Sequence, residues 1–253
     1  MMNAPKAILK DLPPRKQLWQ KLVESIYPPL CLSCGTELQT DGFCGSCWQE
    51  TKFITGLVCD ACGTPLLGED ENSAFCDTCL KDPPSWQRGR AAAVYHGGAA
   101  KSVMALKYAD RWDLAKPLAN YMTSTEPSVL ETDIVVPVPL HWARLFKRKY
   151  NQAALLSREV ARRLDQTHIP DLLIRKKRTT IQKSMDREAR FQNLQNAFSV
   201  SPKYKASIQG QRILLIDDVM TTGATLSACA NALKASGSGD VNVLVFARVA
   251  KPI

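Results

Sequence analysis

The fold is decided by the stretch Ile213-Leu-Leu-Ile-Asp-Asp-Val-Met-Thr-Thr-Gly223, followed at once by Ala224-Thr225. Four apolar residues lead into Asp217 and Asp218, a short loop with hydroxyls and a glycine follows, and residues 226–233 predict a helix. A buried strand that meets a polar loop and then a helix is how α/β sheets usually present a phosphate site, because backbone N–H groups and the helix N-terminus point at the anion. Because carboxylates repel phosphate, we expect the two aspartates to face hydroxyl groups or a metal ion beside the phosphate, as a ribose phosphate would offer.

This run resembles the phosphoribosyl pyrophosphate (PRPP) loop of type I phosphoribosyltransferases almost residue for residue. The resemblance implies that the two carboxylates hold the ribose 2′- and 3′-hydroxyls, that the loop wraps the 5′-phosphate, and that Mg²⁺ accompanies PRPP. The implied ligand-binding residues are Asp217, Asp218, Met220, Thr221, Thr222, Gly223, Ala224 and Thr225. The alternative interpretation is a strand, a solvated acidic turn and a helix N-cap that bind no ligand.

Length and composition narrow the class of protein. A chain of 253 residues has room for one ordinary α/β domain and a small appendage, and 45% hydrophobic residues exclude a disordered chain. Apolar stretches fall short of the about 18 residues that a membrane span needs. Residues 1–16 contain lysines but lack the apolar segment of a secretory signal, so the expected location is cytoplasmic. Residues 16–30 predict a short amphipathic helix.

Eight of the nine cysteines form four Cys-x₂-Cys pairs, and each two successive pairs have the spacing of a four-thiolate zinc site. The predicted ligands are Cys31, Cys34, Cys44 and Cys47 in one set and Cys59, Cys62, Cys76 and Cys79 in the other. Residues 34–38 (CGTEL) also match residues 62–66 (CGTPL), which indicates a duplicated ribbon with about two structural zinc ions per chain. We favour sequential zinc sites over interleaved ones. We also expect bound metal, and not a hydrophobic core, to hold the ribbon together. Redox-active cysteine pairs are the alternative interpretation. The ninth cysteine, Cys229, fits the apolar stripe of a helix.

Strands and helices alternate after Pro83-Pro84, which predicts an α/β fold with a largely parallel sheet and helices on both faces. The predicted strands are 91–95, 134–136, 212–216 and 241–249, and the predicted helices are 99–108, 113–122, 151–164 and 226–233. The chain therefore divides into an N-terminal extension (1–27), a double zinc ribbon (28–82) and a phosphoribosyltransferase-like domain (86–253).

Further segments extend the resemblance along the chain. Asp133-Ile-Val-Val-Pro-Val-Pro-Leu-His141 leaves a strand for a loop that proline keeps from being helical, and Tyr150-Asn-Gln-Ala153 follows. With the paired zinc knuckles in front, this order of motifs resembles the ComF family of competence-associated proteins over roughly residues 28–250. The resemblance implies a pyrophosphate loop and a mobile flap. Its candidate residues are Arg144, Gln182, Arg187 and Arg190. One departure is Lys149, where the family more often has glycine.

The net charge of the chain is confined to one window. Residues 141–190 contain 14 Lys or Arg and 5 Asp or Glu, a net of +9, which equals the net charge of the whole chain. This exceeds what one PRPP molecule needs, so single-stranded DNA is the natural second partner, although a solvated face is the alternative for each residue.

Two functions follow from these patterns. The ComF resemblance implies a PRPP-binding protein in natural transformation or DNA utilisation, with competence or DNA-processing proteins as partners. The alternative is an active phosphoribosyltransferase whose acceptor substrate the sequence does not identify.

Overall fold

The structure is a computed structural model that describes residues 28–68, 73–140, 149–175 and 197–250. Its helices and strands, in chain order, are α1 (Gly45–Glu50), α2 (Asp77–Lys81), β1 (Gly89–Val94), α3 (Gly97–Tyr108), α4 (Ala115–Thr123), β2 (Ile134–Pro137), α5 (Gln152–Leu164), β3 (Thr167–His168), β4 (Leu173–Arg175), β5 (Phe198–Val200), β6 (Ile213–Met220), α6 (Ala224–Lys234) and β7 (Val241–Arg248). Five strands form one parallel sheet in the order β1-β7-β6-β2-β3, and β4 pairs with β5 in a separate antiparallel ribbon. The predicted parallel α/β sheet is confirmed.

Apolar side chains cover both faces of the sheet, as expected for parallel strands flanked by helices. On β6, Leu214 and Ile216 belong to a buried cluster that includes residues of α3, α4 and α5. Ile213 and Leu215, which alternate with them, belong to a second cluster that includes Leu226 and its neighbours on α6. The alternation follows the two-residue period of a strand, and it places helices on both faces, as predicted.

Strand β6 is longer than the sequence predicts. The predicted strand ends at Ile216, whereas the observed one continues to Met220. The extension is stabilised by pairing with β7, which runs beside it from Asp217 opposite Val245 to Met220 opposite Arg248. Both acidic residues therefore lie within a strand, so that their side chains leave it on opposite faces.

The helix boundaries differ from the prediction by a few residues. α3 begins at Gly97 instead of residue 99. The predicted helix 113–122 is a 3₁₀ turn, Trp112–Leu114, followed by α4. α5 begins one residue late because Asn151 is its N-cap, and the Asn151 side chain accepts a hydrogen bond from the Ala153 N–H at 3.1 Å. The helix predicted over residues 16–30 lies almost entirely outside the described residues. Within the described ranges, no helix has both the length and the apolar composition to cross a bilayer.

The segment between the two cysteine sets attaches the ribbon to the sheet. Ile54 donates its N–H to Ala92 O at 2.9 Å, and Val94 donates to Lys52 O at 2.8 Å, so this segment runs antiparallel along β1. The Phe53 ring stacks on Tyr121 of α4 with centroids 5.1 Å apart. The first half of the ribbon is therefore held by apolar packing as well as by any metal it binds.

Candidate functional site

A cleft opens at the carboxyl end of β6, where the chain turns into α6. We call residues 220–225 the phosphate loop. The lining residues of the cleft are Asp217, Val219, Met220, Thr221, Thr222, Gly223, Ala224, Thr225 and Leu226. The structure thus brings together all of the predicted PRPP-loop residues except Asp218, and it adds Val219 and Leu226. The position of the cleft agrees with the rule that ligands bind at the carboxyl ends of parallel strands.

Gly223 gives the phosphate loop its turn. Its φ of 78° lies in the left-handed region, which glycine enters without a steric penalty. The residue is the N-cap of α6, and its carbonyl accepts the first helical hydrogen bond from the Ser227 N–H at 2.8 Å. A Cβ at this position would also lie 2.7 Å from Cη2 of Trp86. Backbone conformation and space therefore both require glycine here.

The loop offers the donors that an anion needs. The first backbone N–H groups of a helix have no intrahelical partner, and the helix dipole favours negative charge at that end. Thr221 and Thr222 are exposed beside the N-terminus of α6, and Thr225 lies in its first turn. The Thr222 hydroxyl accepts a 3.4 Å hydrogen bond from the Ala224 N–H, which keeps that side chain close to the helix start. This arrangement can bind a phosphate group without a cationic side chain.

The two acidic residues have different surroundings. Asp217 lines the cleft, and its Oδ1 accepts a hydrogen bond from the Asp218 N–H at 2.9 Å. Asp218 is only 7% exposed, and its Oδ1 lies 2.9 Å from the ammonium group of Lys107 on α3. Of the pair, the structure therefore places Asp217 at the cleft and Asp218 in an ion pair on the α3 face. Lys107 is not among the predicted site residues, because nothing in the local sequence pattern of α3 distinguishes it from a surface lysine.

The eight paired cysteines form two clusters of four. Within each cluster all Sγ atoms lie within 4.8 Å of one another, and the members are Cys31, Cys34, Cys44 and Cys47, and Cys59, Cys62, Cys76 and Cys79. The Sγ atoms of Cys34 and Cys44 lie 3.7 Å apart, and those of Cys62 and Cys76 lie 3.8 Å apart. A tetrahedral ion with Zn–S bonds of about 2.3 Å holds its sulfurs about 3.8 Å apart. The donor set and spacing fit zinc, and the predicted sequential arrangement is confirmed.

The surroundings of the clustered thiols shift their pKa values in both directions. The Ser46 hydroxyl and then the Cys47 backbone N–H lower the pKa of Cys44 to about 6. Burial, reinforced by the charge of Cys59, raises the pKa of Cys79 to about 12. Four neighbouring thiols cannot all ionise without a compensating charge, and a divalent metal supplies it. By contrast, complete burial raises the pKa of Cys229 well above its usual range, and this thiol is a core residue, as predicted.

The pyrophosphate and flap candidates Arg144, Gln182, Arg187 and Arg190 lie outside the described residues. At the edge of the described chain, Lys149 has a φ of 64°, in the left-handed region. This conformation gives a physical reason for the glycine that the family more often has there. The neighbouring Tyr150, just before α5, donates its hydroxyl hydrogen to Leu106 O at 2.8 Å and so contacts α3.

We call residues 141–190 the basic window, and the structure describes five of its fourteen Lys and Arg residues. Arg158 and Arg162 on α5 lie 3.3 and 2.8 Å from the carboxylate of Glu159. The Lys149 ammonium is 2.7 Å from Asp110, and the Arg175 guanidinium lies 5.2 Å from the centre of the Phe198 ring. The fifth, Arg163, donates to the Thr123 hydroxyl at 2.9 Å. Each described cation thus has a contact within the protein, and the other nine lie outside the described residues.

Comparison with known proteins agrees with this architecture. A family model described as a double zinc ribbon domain matches residues 22–80, and one described as a phosphoribosyl transferase domain matches residues 151–252. Competence protein F of Haemophilus influenzae is 30% identical over 226 residues, which cover 86% of this chain and 96% of that protein. This chain belongs to the ComF family. The predicted family and the predicted combination of a zinc ribbon with a phosphoribosyltransferase-type sheet are confirmed.

Other ComF relatives match over nearly their whole length. The DNA utilization protein YhgH of Escherichia coli is 29% identical over 229 residues, covering 87% of this chain and 97% of the relative. Competence protein ComFC of Bacillus subtilis is 26% identical over 236 residues, covering 84% and 91%. The similarity to these relatives therefore extends over most of this chain and over nearly all of theirs.

Proposed function

We propose that this ComF protein binds PRPP, or a related ribose 5-phosphate, in the cleft between β6 and α6. The observation that carries the proposal is the phosphate loop itself, with Gly223 in the left-handed conformation at the start of α6 and Asp217 on the same cleft. The loop N–H groups and threonine hydroxyls would bind the 5′-phosphate, and the Asp217 carboxylate would accept hydrogen bonds from ribose hydroxyls. Asp218, to which the resemblance also assigns a ribose hydroxyl, would bind that hydroxyl only after its side chain leaves the ion pair with Lys107.

The remaining binding groups are proposed from the sequence. Arg144, Gln182, Arg187 and Arg190 would contact the pyrophosphate or cover it. Mg²⁺ fits a ligand of this kind, because it keeps several waters and binds chiefly through substrate phosphates. Binding therefore should depend on Mg²⁺ for PRPP, whose pyrophosphate can chelate the ion, and much less for ribose 5-phosphate.

We further propose that the protein acts in the handling of incoming DNA. The names of its relatives, competence protein and DNA utilization protein, support this role. The basic window of residues 141–190 supports a direct contact with single-stranded DNA, since phosphates attract clustered Lys and Arg side chains. Competence or DNA-processing proteins are the other proposed partners.

A calorimetric titration of the zinc-loaded protein tests the ligand class. PRPP with Mg²⁺ and ribose 5-phosphate should both bind, whereas ribose, which lacks the phosphate, should not. Failure of both phosphorylated sugars to bind would reject the proposal. Adding a panel of nucleobases and measuring released pyrophosphate then decides whether the bound PRPP is also a substrate, as the phosphoribosyltransferase alternative requires.

A further inference from the structure

The second zinc site contacts the phosphoribosyltransferase-like domain through three consecutive carbonyl groups. We call residues 59–62, which begin and end at the ligands Cys59 and Cys62, the second knuckle. Asp60 O accepts hydrogen bonds from the Gly89 N–H at 3.1 Å and from Nη1 of Arg90 at 3.0 Å. Ala61 O accepts one from the indole Nε1 of Trp86 at 2.5 Å. Cys62 O accepts one from Nη1 of Arg248.

Two of these donors also touch the phosphate loop. Trp86 is only 6% exposed, and its ring lies directly over Gly223, where a Cβ would come within 2.7 Å of Cη2. Arg248, 9% exposed, has Nη1 3.9 Å from Sδ of Met220. It ends β7 opposite Met220, whose carbonyl accepts the next N–H, that of Val249, at 2.9 Å. Trp86 and Arg248 therefore link the second knuckle to the phosphate loop, Trp86 at Gly223 and Arg248 at Met220.

The first zinc site makes its contacts elsewhere. Phe43, next to its ligand Cys44, packs against Phe53 and Tyr121 with ring centres 5.7 and 5.6 Å away. A Cβ on Gly98 of α3 would lie 3.0 Å from Cys47 O. These contacts join the first site to α3 and α4, on the face of the sheet opposite to α6. The duplicated ribbon is thus asymmetric in what its two halves support.

We propose that the second zinc site positions the phosphate loop through Trp86 and Arg248. Zinc bound to the second set of cysteines would fix the carbonyls of residues 60–62, and these would hold the two bridging side chains against Gly223 and Met220. Without the metal, the buried indole N–H of Trp86 loses its acceptor, which is costly enough to release the ring from the loop. A loosened loop must then be ordered by the ligand itself, which weakens binding. The consequence for affinity rests on the proposed ribose-phosphate function; the coupling itself does not.

Hydrogen exchange of the full-length protein tests the coupling without any ligand. Cys76→Ser and Cys44→Ser are matched variants, because each removes the third ligand of its set and both cysteines are partly exposed. Each variant should retain about one zinc ion. We expect the amides of residues 219–226 to exchange at least about tenfold faster in Cys76→Ser and to be unchanged in Cys44→Ser. Equal exchange of this segment in the two variants would overturn the proposal.

A second pair of variants leaves both metal sites intact. Trp86→Phe removes the indole donor to Ala61 O, and Trp48→Phe is its control, since Trp48 is 51% exposed beside the first site. Both proteins should contain about two zinc ions. Only Trp86→Phe should accelerate exchange at residues 219–226 and weaken PRPP binding. Unchanged loop exchange in Trp86→Phe would overturn the role of Trp86, whereas a loosened loop in a protein that never binds PRPP would reject only the proposed function.

Discussion

The ammonium group of Lys107 lies 2.9 Å from Oδ1 of Asp218, and their side chains are only 17% and 9% exposed. Lys107 belongs to α3 and Asp218 to β6, so the pair joins a helix on one face of the sheet to the strand that leads into the phosphate loop. A carboxylate buried to this degree requires a compensating charge. Lys107 therefore stabilises the fold at the strand on which the candidate site depends.

Lys107→Met should destabilise the protein by about 3 kcal/mol, because it leaves the Asp218 carboxylate buried without its cation. Urea unfolding in zinc-containing buffer measures this loss. Adding Asp218→Asn to the same protein removes the unpaired charge and should restore part of the stability, so the two changes should be non-additive.

Lys101→Met is the matched control on the same helix. The Lys101 ammonium lies 3.0 Å from Glu50, but the two side chains are 57% and 54% exposed. Solvent screens the attraction within such an exposed ion pair, so this change should have little effect on the free energy of unfolding. Equal destabilisation by the two substitutions would show that Lys107 is an ordinary surface lysine.

Zinc content provides the second prediction. Protein purified without added metal should contain about two zinc ions per chain by elemental analysis. Cys34→Ser should lose about one, because a hydroxyl oxygen is a poor substitute for a thiolate. Cys229→Ala is the control, since this cysteine is buried in the core away from both clusters, and it should retain both ions. Near-zero metal in freshly reduced wild-type protein would favour redox-active or disulfide-bonded cysteines instead.

The features that sequence predicted are those set by local chemistry. The spacing of Cys31, Cys34, Cys44 and Cys47 fixes which thiols meet, because a two-residue knuckle can present both of its sulfurs to one ion. Gly35, directly after Cys34, has a φ of 77°, the left-handed turn that glycine in that position predicts. Gly223 likewise has a φ of 78°, a conformation that glycine adopts without a steric penalty.

The features that sequence could not predict depend on contacts between distant segments. β6 extends to Met220 because β7 pairs with it, and an acidic pair following an apolar run gives no local sign of a strand. Trp86 follows the proline-rich boundary Pro83-Pro84 by two residues, yet its ring packs between the second knuckle and Gly223. Only the tertiary structure brings these residues together.

Single-stranded DNA binding is the third prediction. Changing Lys147, Arg148, Lys176 and Lys177 to alanine should weaken binding to all sequences alike and reduce the salt dependence, which amounts to a slope of about −0.7 per phosphate contact. Arg175 is left in place because its guanidinium lies over Phe198. Fluorescence anisotropy of a labelled oligonucleotide at several salt concentrations measures both quantities.

A second four-alanine variant separates position from net charge. Lys81, Lys101, Lys205 and Lys234 are exposed and lie outside the basic window. Replacing them lowers the net charge by the same amount, but the affinity and the salt slope should stay near those of the wild type. If both variants lose affinity equally, DNA responds only to the overall charge of the protein, and the basic window is a solvated face.

The measurement that tests the account most directly is the PRPP affinity of Asp217→Asn, determined by calorimetry with Mg²⁺. This single change is preferable to changing both carboxylates, because Asp218 also pairs with Lys107. Asp240→Asn is the control. Asp240 is exposed and immediately precedes β7, so it lies at the amino-terminal end of the parallel strands, whereas the cleft lies at their carboxyl ends. A charge-assisted hydrogen bond contributes about 1.5–3 kcal/mol, so Asp217→Asn should bind PRPP at least about tenfold more weakly than the wild type. Asp240→Asn should bind as the wild type does. Wild-type affinity in folded Asp217→Asn protein would contradict the assignment of this cleft as the ribose-phosphate site.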